Sequence, residues 1–129
     1  MKPALRAVDG LLRVDKPAGV SSNAVLQRVK RLFRARKAGH GGTLDPLATG
    51  VLPIALGEAT KTVPYAVEGQ KDYSFTVRWG AATDTDDAEG RIIATSDVRP
   101  EREAIEALLP SFTGEVRMLI DGKLVEATG

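Results

Sequence analysis

The chain contains no cysteine and a single histidine among its 129 residues, and aromatic side chains make up only 5% of it. Without cysteine it forms neither disulfides nor thiolate metal sites. No stretch approaches the ~18 uninterrupted apolar residues of a transmembrane helix, and the first residues lack the apolar core of a secretory signal. These absences predict a cytoplasmic protein without a membrane segment and without a metal.

Charge is distributed unevenly along the chain, although the formal net charge is only +1. Residues 1–61 hold eleven Lys or Arg against four Asp or Glu, whereas residues 62–129 hold seven against thirteen. The excess in the first half is concentrated in one basic segment, which consists of Arg28, Lys30, Arg31, Arg34, Arg36 and Lys37. Such a density is typical of a phosphate-contacting face, and equally of a solvated helix surface.

Apolar runs and helical spacing predict the elements of the first half. Residues 10–14 indicate a strand that turn-forming residues close. Ser21, Ser22 or Asn23 can cap the helix that follows. The apolar positions of that helix recur at helical spacing and are Val25, Val29, Leu32 and Phe33. Residues 51–56 predict a buried strand in which Pro53, lacking an N–H, indicates a bulge or a sheet edge, and residues 57–67 predict a short helix.

The second half has the most regular alternation in the sequence. In KDYSFTVRW, residues 71–79, four large side chains share one face, which predicts a half-buried strand: Tyr73, Phe75, Val77 and Trp79. The acidic residues 83–90 predict a solvated connection to a short strand at 91–94, and a helix is expected from Pro100 to just before Pro110. Two strands between residues 115 and 126, joined near Asp121 and Gly122, complete an α/β (α+β) fold with a mixed, largely antiparallel sheet flanked by helices.

The segment GHGGTLDPLATGVL, residues 39–52, places Asp45 in a loop rich in glycine and proline, five residues after His40. An aspartate in such a loop often does no more than close a turn. A compact loop with glycines also lets a ligand approach the backbone, as a catalytic carboxylate requires. The sequence has no G-x-S-x-G elbow, no P-loop lysine and no calcium-loop spacing. The residues therefore leave two alternatives, a structural turn or carboxylate chemistry on a nucleotide.

Four segments resemble one family. GHGGTLDPLATGVLPIALGEATK, residues 39–61, closely resembles the catalytic motif of the bacterial tRNA pseudouridine-55 synthases, the TruB type. LLRVDKPAGVSSN at 11–23 is similar to the first motif of that family, KDYSFTVRWGAATDTDDAEG at 71–90 to its tyrosine strand and acidic turn, and SFTGEV at 111–116 to a later segment. The resemblance implies that residues 1–116 are the N-terminal part of a pseudouridine synthase catalytic domain, followed by a divergent tail at 117–129.

By this resemblance the chain converts uridine 55 of the tRNA T loop to pseudouridine, as a monomer and without a cofactor. Asp45 is the implied catalytic residue, acting either as nucleophile or as the base that removes a sugar proton. The residues implied to contact or hold the substrate are His40, Gly42, Thr43, Tyr73 and, in support of the loop, Lys16. The basic segment is implied to contact RNA phosphates of the T stem-loop.

The family pattern is lost after residue 116. Members continue with a strand bearing K-G-T-Y-I-R, whose arginine pairs with the catalytic aspartate, and with an RNA-binding C-terminal domain; neither is found in these 129 residues. We therefore expect weak or no activity from this chain alone. Two other hypotheses stay open: a non-catalytic module that binds or folds tRNA through the same basic surface, and a defective fragment with no independent role.

Overall fold

The computed structural model describes the backbone of residues 4–120 and 123–128 and the side chains through residue 115. The chain forms two compact units, Met1–Lys71 and Asp72–Gly129. Its strands are β1 (Gly10–Lys16), β2 (Ala38–His40), β3 (Gly50–Leu56), β4 (Ala81–Thr83), β5 (Ile92–Thr95), β6 (Glu115–Ile120) and β7 (Lys123–Thr128), and its helices are α1 (Ser22–Phe33), α2 (Val63–Glu68) and α3 (Arg102–Leu108). The predicted α/β class with antiparallel pairing is confirmed, with the strands divided among three sheets.

The first unit is a three-stranded antiparallel sheet, in the order β1-β3-β2, covered by α1. Alternate residues of β1 face inward, so that Leu12 and Val14 pack against the core and Lys16 is fully buried. The buried apolar side chains are Leu26, Val29, Ala35, Leu52, Ile54, Ala55 and Leu56. Every one of them belongs to the first unit, so this unit holds the core of the part of the chain whose side chains are described.

Helix α1 begins at one of its three predicted cap residues. The Ser21 hydroxyl caps the helix by accepting a hydrogen bond of 3.0 Å from the Ala24 N–H. The helix ends at Arg34, which adopts a left-handed conformation with φ of 52° and donates its N–H to the Arg31 carbonyl. Two of the four apolar positions predicted at helical spacing are exposed, Leu32 at 74% and Phe33 at 37%, because the face that carries Leu26 is the one that meets the sheet.

Pro53 lies in the central strand, without the predicted bulge. The register of β1 with β3 continues evenly through Arg13 opposite Pro53. The Pro53 carbonyl faces β2 and accepts from the Gly41 N–H at 3.1 Å, one residue past the end of β2. The N–H and C=O of a strand residue point to the same side. The N–H that Pro53 lacks would therefore point toward Gly41, beyond the end of β2, so no hydrogen bond between β2 and β3 is lost.

The turn that follows β3 requires a glycine at residue 57. Gly57 has φ of +59°, and a Cβ atom built there would lie 2.2 Å from Asp9 Oδ1 and 2.3 Å from the Val8 carbonyl oxygen. We expect Gly57→Ala to lower the free energy of unfolding by at least ~2 kcal/mol, through the left-handed conformation and the clash together. Urea unfolding measures the change, with Gly69→Ala as a control whose Cβ meets only ordinary contacts, 3.6 Å or longer. Equal stability of both variants would contradict this account of the turn.

The described part of the second unit contains two hairpins and α3, which follow a segment without strand pairing at residues 72–79. Strands β4 and β5 pair antiparallel around the acidic segment, and β6 pairs with β7. The helix predicted before Pro110 corresponds to α3, the strand predicted at 91–94 to β5, and the two strands predicted between residues 115 and 126 to β6 and β7. Strand β4 was not predicted, and the predicted junction at Asp121 and Gly122 lies outside the described residues.

The strand predicted at residues 71–79 is wrong. This segment is not part of any described strand, and Phe75 is 82% exposed. Alternation specifies which side chains could share a face, but a strand also needs a hydrogen-bonded neighbour and a surface on which to pack. Neither is present for residues 71–79 within the described backbone.

Candidate active site

The loop between β2 and β3 carries Asp45 and is anchored on both sides of that residue. Ser22, the first residue of α1, is almost completely buried and reaches the loop at Leu44. Its hydroxyl accepts from the Leu44 N–H at 3.0 Å and donates to the Leu44 carbonyl at 2.9 Å. A side chain that satisfies both backbone groups of one residue fixes that residue more firmly than a single bond does. The residue before Asp45 is thereby held to the start of α1.

Lys16, at the end of β1, anchors the other side of Asp45. Its ammonium donates to the carbonyls of Pro17 at 2.8 Å, Val20 at 2.7 Å and Pro46 at 3.1 Å. The side chain has no exposed surface, and these three bonds use its three N–H donors. Lys16 thus joins the connection between β1 and α1, through Pro17 and Val20, to the Asp45 loop, through Pro46, in keeping with a supporting role.

A tight turn completes the support around Asp45. The Asp45 carbonyl accepts from the Ala48 N–H at 2.9 Å, with Pro46 as the second residue of the turn, a position that its fixed φ suits. The Pro46 carbonyl also accepts from the Gly19 N–H at 2.7 Å. The Asp45 side chain is half-buried. A half-buried carboxylate on a backbone anchored at both neighbours is the arrangement that positioned carboxylate chemistry requires.

His40 lies at the end of β2, opposite Ile54 of β3. Its Nδ1 atom is buried and, among the described residues, has no hydrogen-bond partner. The residue that follows, Gly41, is buried against α2, where an added Cβ would lie 3.3 Å from Ala66 Cβ. The strand that carries His40 thus runs directly into a loop packed closely on α2.

The next two predicted contact residues, Gly42 and Thr43, connect His40 to the anchored part of the loop. Gly42 has φ of +64°, in the left-handed region that favours glycine, and Thr43 is half-buried. The chain can therefore turn sharply between His40 and Asp45, and the first unit places these four predicted residues in one continuous segment.

The basic segment lies toward the other end of α1. The Ser22 end of the helix contacts the loop, whereas Arg31 follows nine residues later, about 14 Å along the axis at 1.5 Å per residue. Arg28 and Arg31 line a shallow surface depression with Leu32. Five of the six basic side chains are exposed and Lys30 is partly buried. Within the described residues, none of the six forms a salt bridge.

Tyr73, the remaining predicted contact residue, belongs to the second unit. It is half exposed and lies in the segment outside the described strands. The structure therefore does not bring it onto the strand face that the alternation predicted.

The acidic connection between β4 and β5 is ordered by its own side chains. Asp87 Oδ1 accepts from the Thr85 hydroxyl at 2.6 Å and from the Glu89 N–H at 2.8 Å. These bonds, led by that of Thr85, hold the pKa of Asp87 below its usual value. Their contribution to the turn is present at neutral pH and is lost as the pH falls through the lowered pKa. The predicted solvated connection is confirmed.

One basic residue beside the loop, Lys71, was not among the predicted site residues. The Lys71 side chain lies against Gly42, where an added Cβ would be 3.3 Å from Lys71 Cε. A single lysine between Gln70 and Asp72 carries no periodic signal, and the contact joins residues 29 positions apart, so no local pattern could have indicated it. A second exposed lysine, Lys61, has its pKa raised by its hydrogen bond to Glu58 and by that carboxylate's charge.

Neither a metal site nor a membrane helix is found in the described parts of the chain. Among the residues described, no three His, Asp or Glu side chains are grouped as metal ligands would be. No helix there is long and apolar enough to cross a membrane.

Comparison with known proteins identifies the family. Residues 30–120 match the family described as TruB family pseudouridylate synthase, N-terminal domain. The chain therefore belongs to this family of pseudouridylate synthases. Similar curated proteins are the tRNA pseudouridine synthases B of Gluconacetobacter diazotrophicus, 65% identical over 86% of this chain, and of Rhodospirillum rubrum, 57% identical over 88%. The chain spans about a third of the length of these relatives, 36% and 37%.

Two solved structures share the fold over 91% of this chain. One is an H/ACA RNP bound to a substrate RNA containing 2′-deoxyuridine, with a TM-score of 0.55 and 25% identity over 35% of its chain. The other is an archaeal box H/ACA sRNP Nop10-Cbf5 complex, with a TM-score of 0.53 and 30% identity over 36% of its chain. The fold of the described chain is therefore shared with proteins of H/ACA ribonucleoprotein complexes.

Proposed function

We propose that this chain carries the catalytic loop of a tRNA pseudouridine synthase, which isomerises uridine 55 in the T loop of tRNA. The observation that carries the proposal is the anchoring of both neighbours of Asp45 by two buried side chains, Ser22 and Lys16. A loop that only closed a turn would not need a fully buried lysine whose donors all serve backbone carbonyls, because burying a cation costs free energy. Family membership supports the same role for this loop. The proposed setting is the cytoplasm, with a monomeric protein.

The proposed reaction needs one ionised carboxylate and no external reactant. The C1′–N1 bond of uridine breaks, the base turns within the site, and a C1′–C5 bond forms. N1 gains a proton, and C5 loses its hydrogen as a proton to water, so that atoms and charge balance. Asp45 acts either by adding to the uridine or by removing a proton from the sugar, and both routes require it to be ionised and held within bonding reach.

His40, Tyr73 and the loop residues Gly42 and Thr43 are proposed to receive the target nucleotide. Opening a base out of its stack costs a few kcal/mol, which stacking and pocket contacts recover. The buried Nδ1 of His40 offers a hydrogen-bonding atom without a described protein partner next to the loop. An imidazole in this position suits displacement of a base or contact with it.

The basic segment is proposed to bind RNA phosphates, which predicts steep salt dependence. We expect the double variant Arg31→Glu with Arg34→Glu to weaken binding of a T-arm hairpin RNA at least ~10-fold. The logarithm of the association constant should also fall less steeply with the logarithm of the salt concentration, with a slope about 2 smaller in magnitude. Fluorescence anisotropy at several NaCl concentrations measures both quantities. The control is Arg99→Glu with Arg102→Glu in the second unit. An unchanged slope in the first double variant would contradict the assignment.

The second candidate function is an RNA-binding module that does not depend on Asp45. The basic segment and the Asp45 loop lie at opposite ends of α1, which favours this second candidate. RNA binding and chemistry would then use different parts of the surface. The two candidates differ in one result. A module without chemistry leaves every uridine of the bound RNA unchanged, whether residue 45 is aspartate or asparagine.

A further inference from the structure

We propose that Lys71 contacts a backbone phosphate of the RNA beside the target nucleotide; this inference rests on the proposed function. Lys71 is the last residue of the first unit. Its side chain lies across Gly42 of the Asp45 loop. It therefore places a positive charge at the loop itself, which the residues of the basic segment on α1 do not.

The reach of the Lys71 ammonium suits a phosphate near the target. Gly42 is three residues from Asp45, so their Cα atoms are at most about 11 Å apart even with the chain fully extended. Each nucleotide of an RNA strand carries one backbone phosphate, so the phosphates next to the target lie only one nucleotide away. A nucleotide held at Asp45 therefore has its own phosphate, or that of a close neighbour, within the range of the Lys71 side chain.

The contacts of Lys71 leave it able to bind an anion. Its ammonium donates to the Val67 carbonyl at the end of α2 and to the Gly69 carbonyl at 3.3 Å. A lysine ammonium has three N–H donors, so one is left beyond these two bonds. The side chain is exposed. The two carbonyls hold the charge in place, which reduces the conformational entropy lost when a phosphate binds.

This arrangement distinguishes Lys71 from the other lysine near the loop. Lys16 is buried, and all three of its donors are used on carbonyls. It therefore supports the loop from inside, whereas Lys71 covers Gly42 from the surface.

The test is the salt dependence of RNA binding by Lys71→Gln, measured with the full 129-residue chain and a T-arm hairpin RNA. We expect the slope of the logarithm of the association constant against the logarithm of the salt concentration to become smaller in magnitude by about 0.7 to 0.9, because one counterion fewer is released on binding. Lys71→Arg should keep the original slope. Arg102→Gln, which removes one exposed positive charge paired with Glu106, is the matched control and should leave the slope unchanged.

The outcomes separate this inference from the function on which it rests. If Lys71→Gln lowers the melting temperature but binds with the original salt slope, Lys71 only caps α2 and the phosphate contact is refuted. If the unchanged chain binds RNA but Lys71→Gln matches Arg102→Gln, this inference alone fails. If the unchanged chain does not bind the hairpin at all, both this inference and the proposed function fail.

Discussion

Replacing Asp45 with asparagine is expected to slow tritium release from T-arm RNA by at least ~100-fold, the lower end of what a positioned carboxylate contributes as base or nucleophile. The RNA carries uridine labelled with tritium at C5, because formation of the C1′–C5 bond expels that hydrogen. Asparagine keeps the size of the side chain but removes its charge. RNA affinity should therefore stay close to that of the unchanged chain, and the loss should be in the rate of the chemical step.

The assay is run with the chain in excess over RNA, so that even slow turnover is measured as a single event. Asp97→Asn, an exposed carboxylate of the second unit, is the matched control and should release tritium like the unchanged chain. Equal release by the Asp45 and Asp97 variants would refute the catalytic role of Asp45.

Replacing Lys16 with methionine is expected to lower the free energy of unfolding by about 3 kcal/mol. Methionine fills most of the volume of the lysine stem but donates no hydrogen bond, so the carbonyls of Pro17, Val20 and Pro46 lose a charged donor inside the protein. Hydrogen bonds to charged groups contribute ~1.5 to 3 kcal/mol each, and an unsatisfied buried acceptor costs a similar amount. The estimate lies well below the sum because the buried charge is removed together with its bonds.

Urea unfolding of the chain measures this loss of stability. Lys37→Met changes an exposed lysine in the same way and should stay within ~0.5 kcal/mol of the unchanged chain, as surface substitutions usually do. If the two variants were equally stable, the three carbonyls would not depend on Lys16, and the support described for the Asp45 loop would be wrong.

The sequence predicted the local elements of the first unit well, because their signals are themselves local. A serine before a helical apolar pattern predicted the start of α1, and the Ser21 cap confirms it. An apolar run predicted β1 with its end at Val14, because the turn-forming residues Asp15, Lys16, Pro17 and Gly19 follow it. The strand continues to Lys16, whose burial follows from the same alternation that turns Leu12 and Val14 inward.

The wrong predictions, and the contact that was not predicted, concern features that depend on residues distant in sequence. Leu32 fits the helical spacing of an apolar face, but which face of α1 is covered depends on the sheet beneath it. Residues 71–79 alternate as a strand would, but alternation supplies neither a partner strand nor a covering surface. The position of Lys71 against Gly42 depends on how α2 packs on the loop, which no periodicity encodes.

The sequence predicted which residues form the candidate site, but not the contacts that hold them in place. The resemblance of residues 39–61 to the family motif indicated Asp45 and His40. It did not indicate that the Ser22 hydroxyl would hold Leu44 by two hydrogen bonds, or that the basic segment would lie toward the far end of α1 from the loop. These features come from packing, and they separate the proposed chemical site from the proposed phosphate-binding surface.

The most direct test of the central proposal is to identify the nucleoside that the unchanged chain produces at the target position. After prolonged incubation with excess chain, a T-arm RNA is digested to nucleosides, which are separated by chromatography and weighed by mass spectrometry. Since weak activity at most is expected of this chain, we predict a small yield of a product with the mass of uridine but a different retention, formed at position 55 and absent when that position is cytidine. Recovery of only uridine from RNA that the chain has bound throughout would contradict the proposal that the Asp45 loop in this chain is an active site.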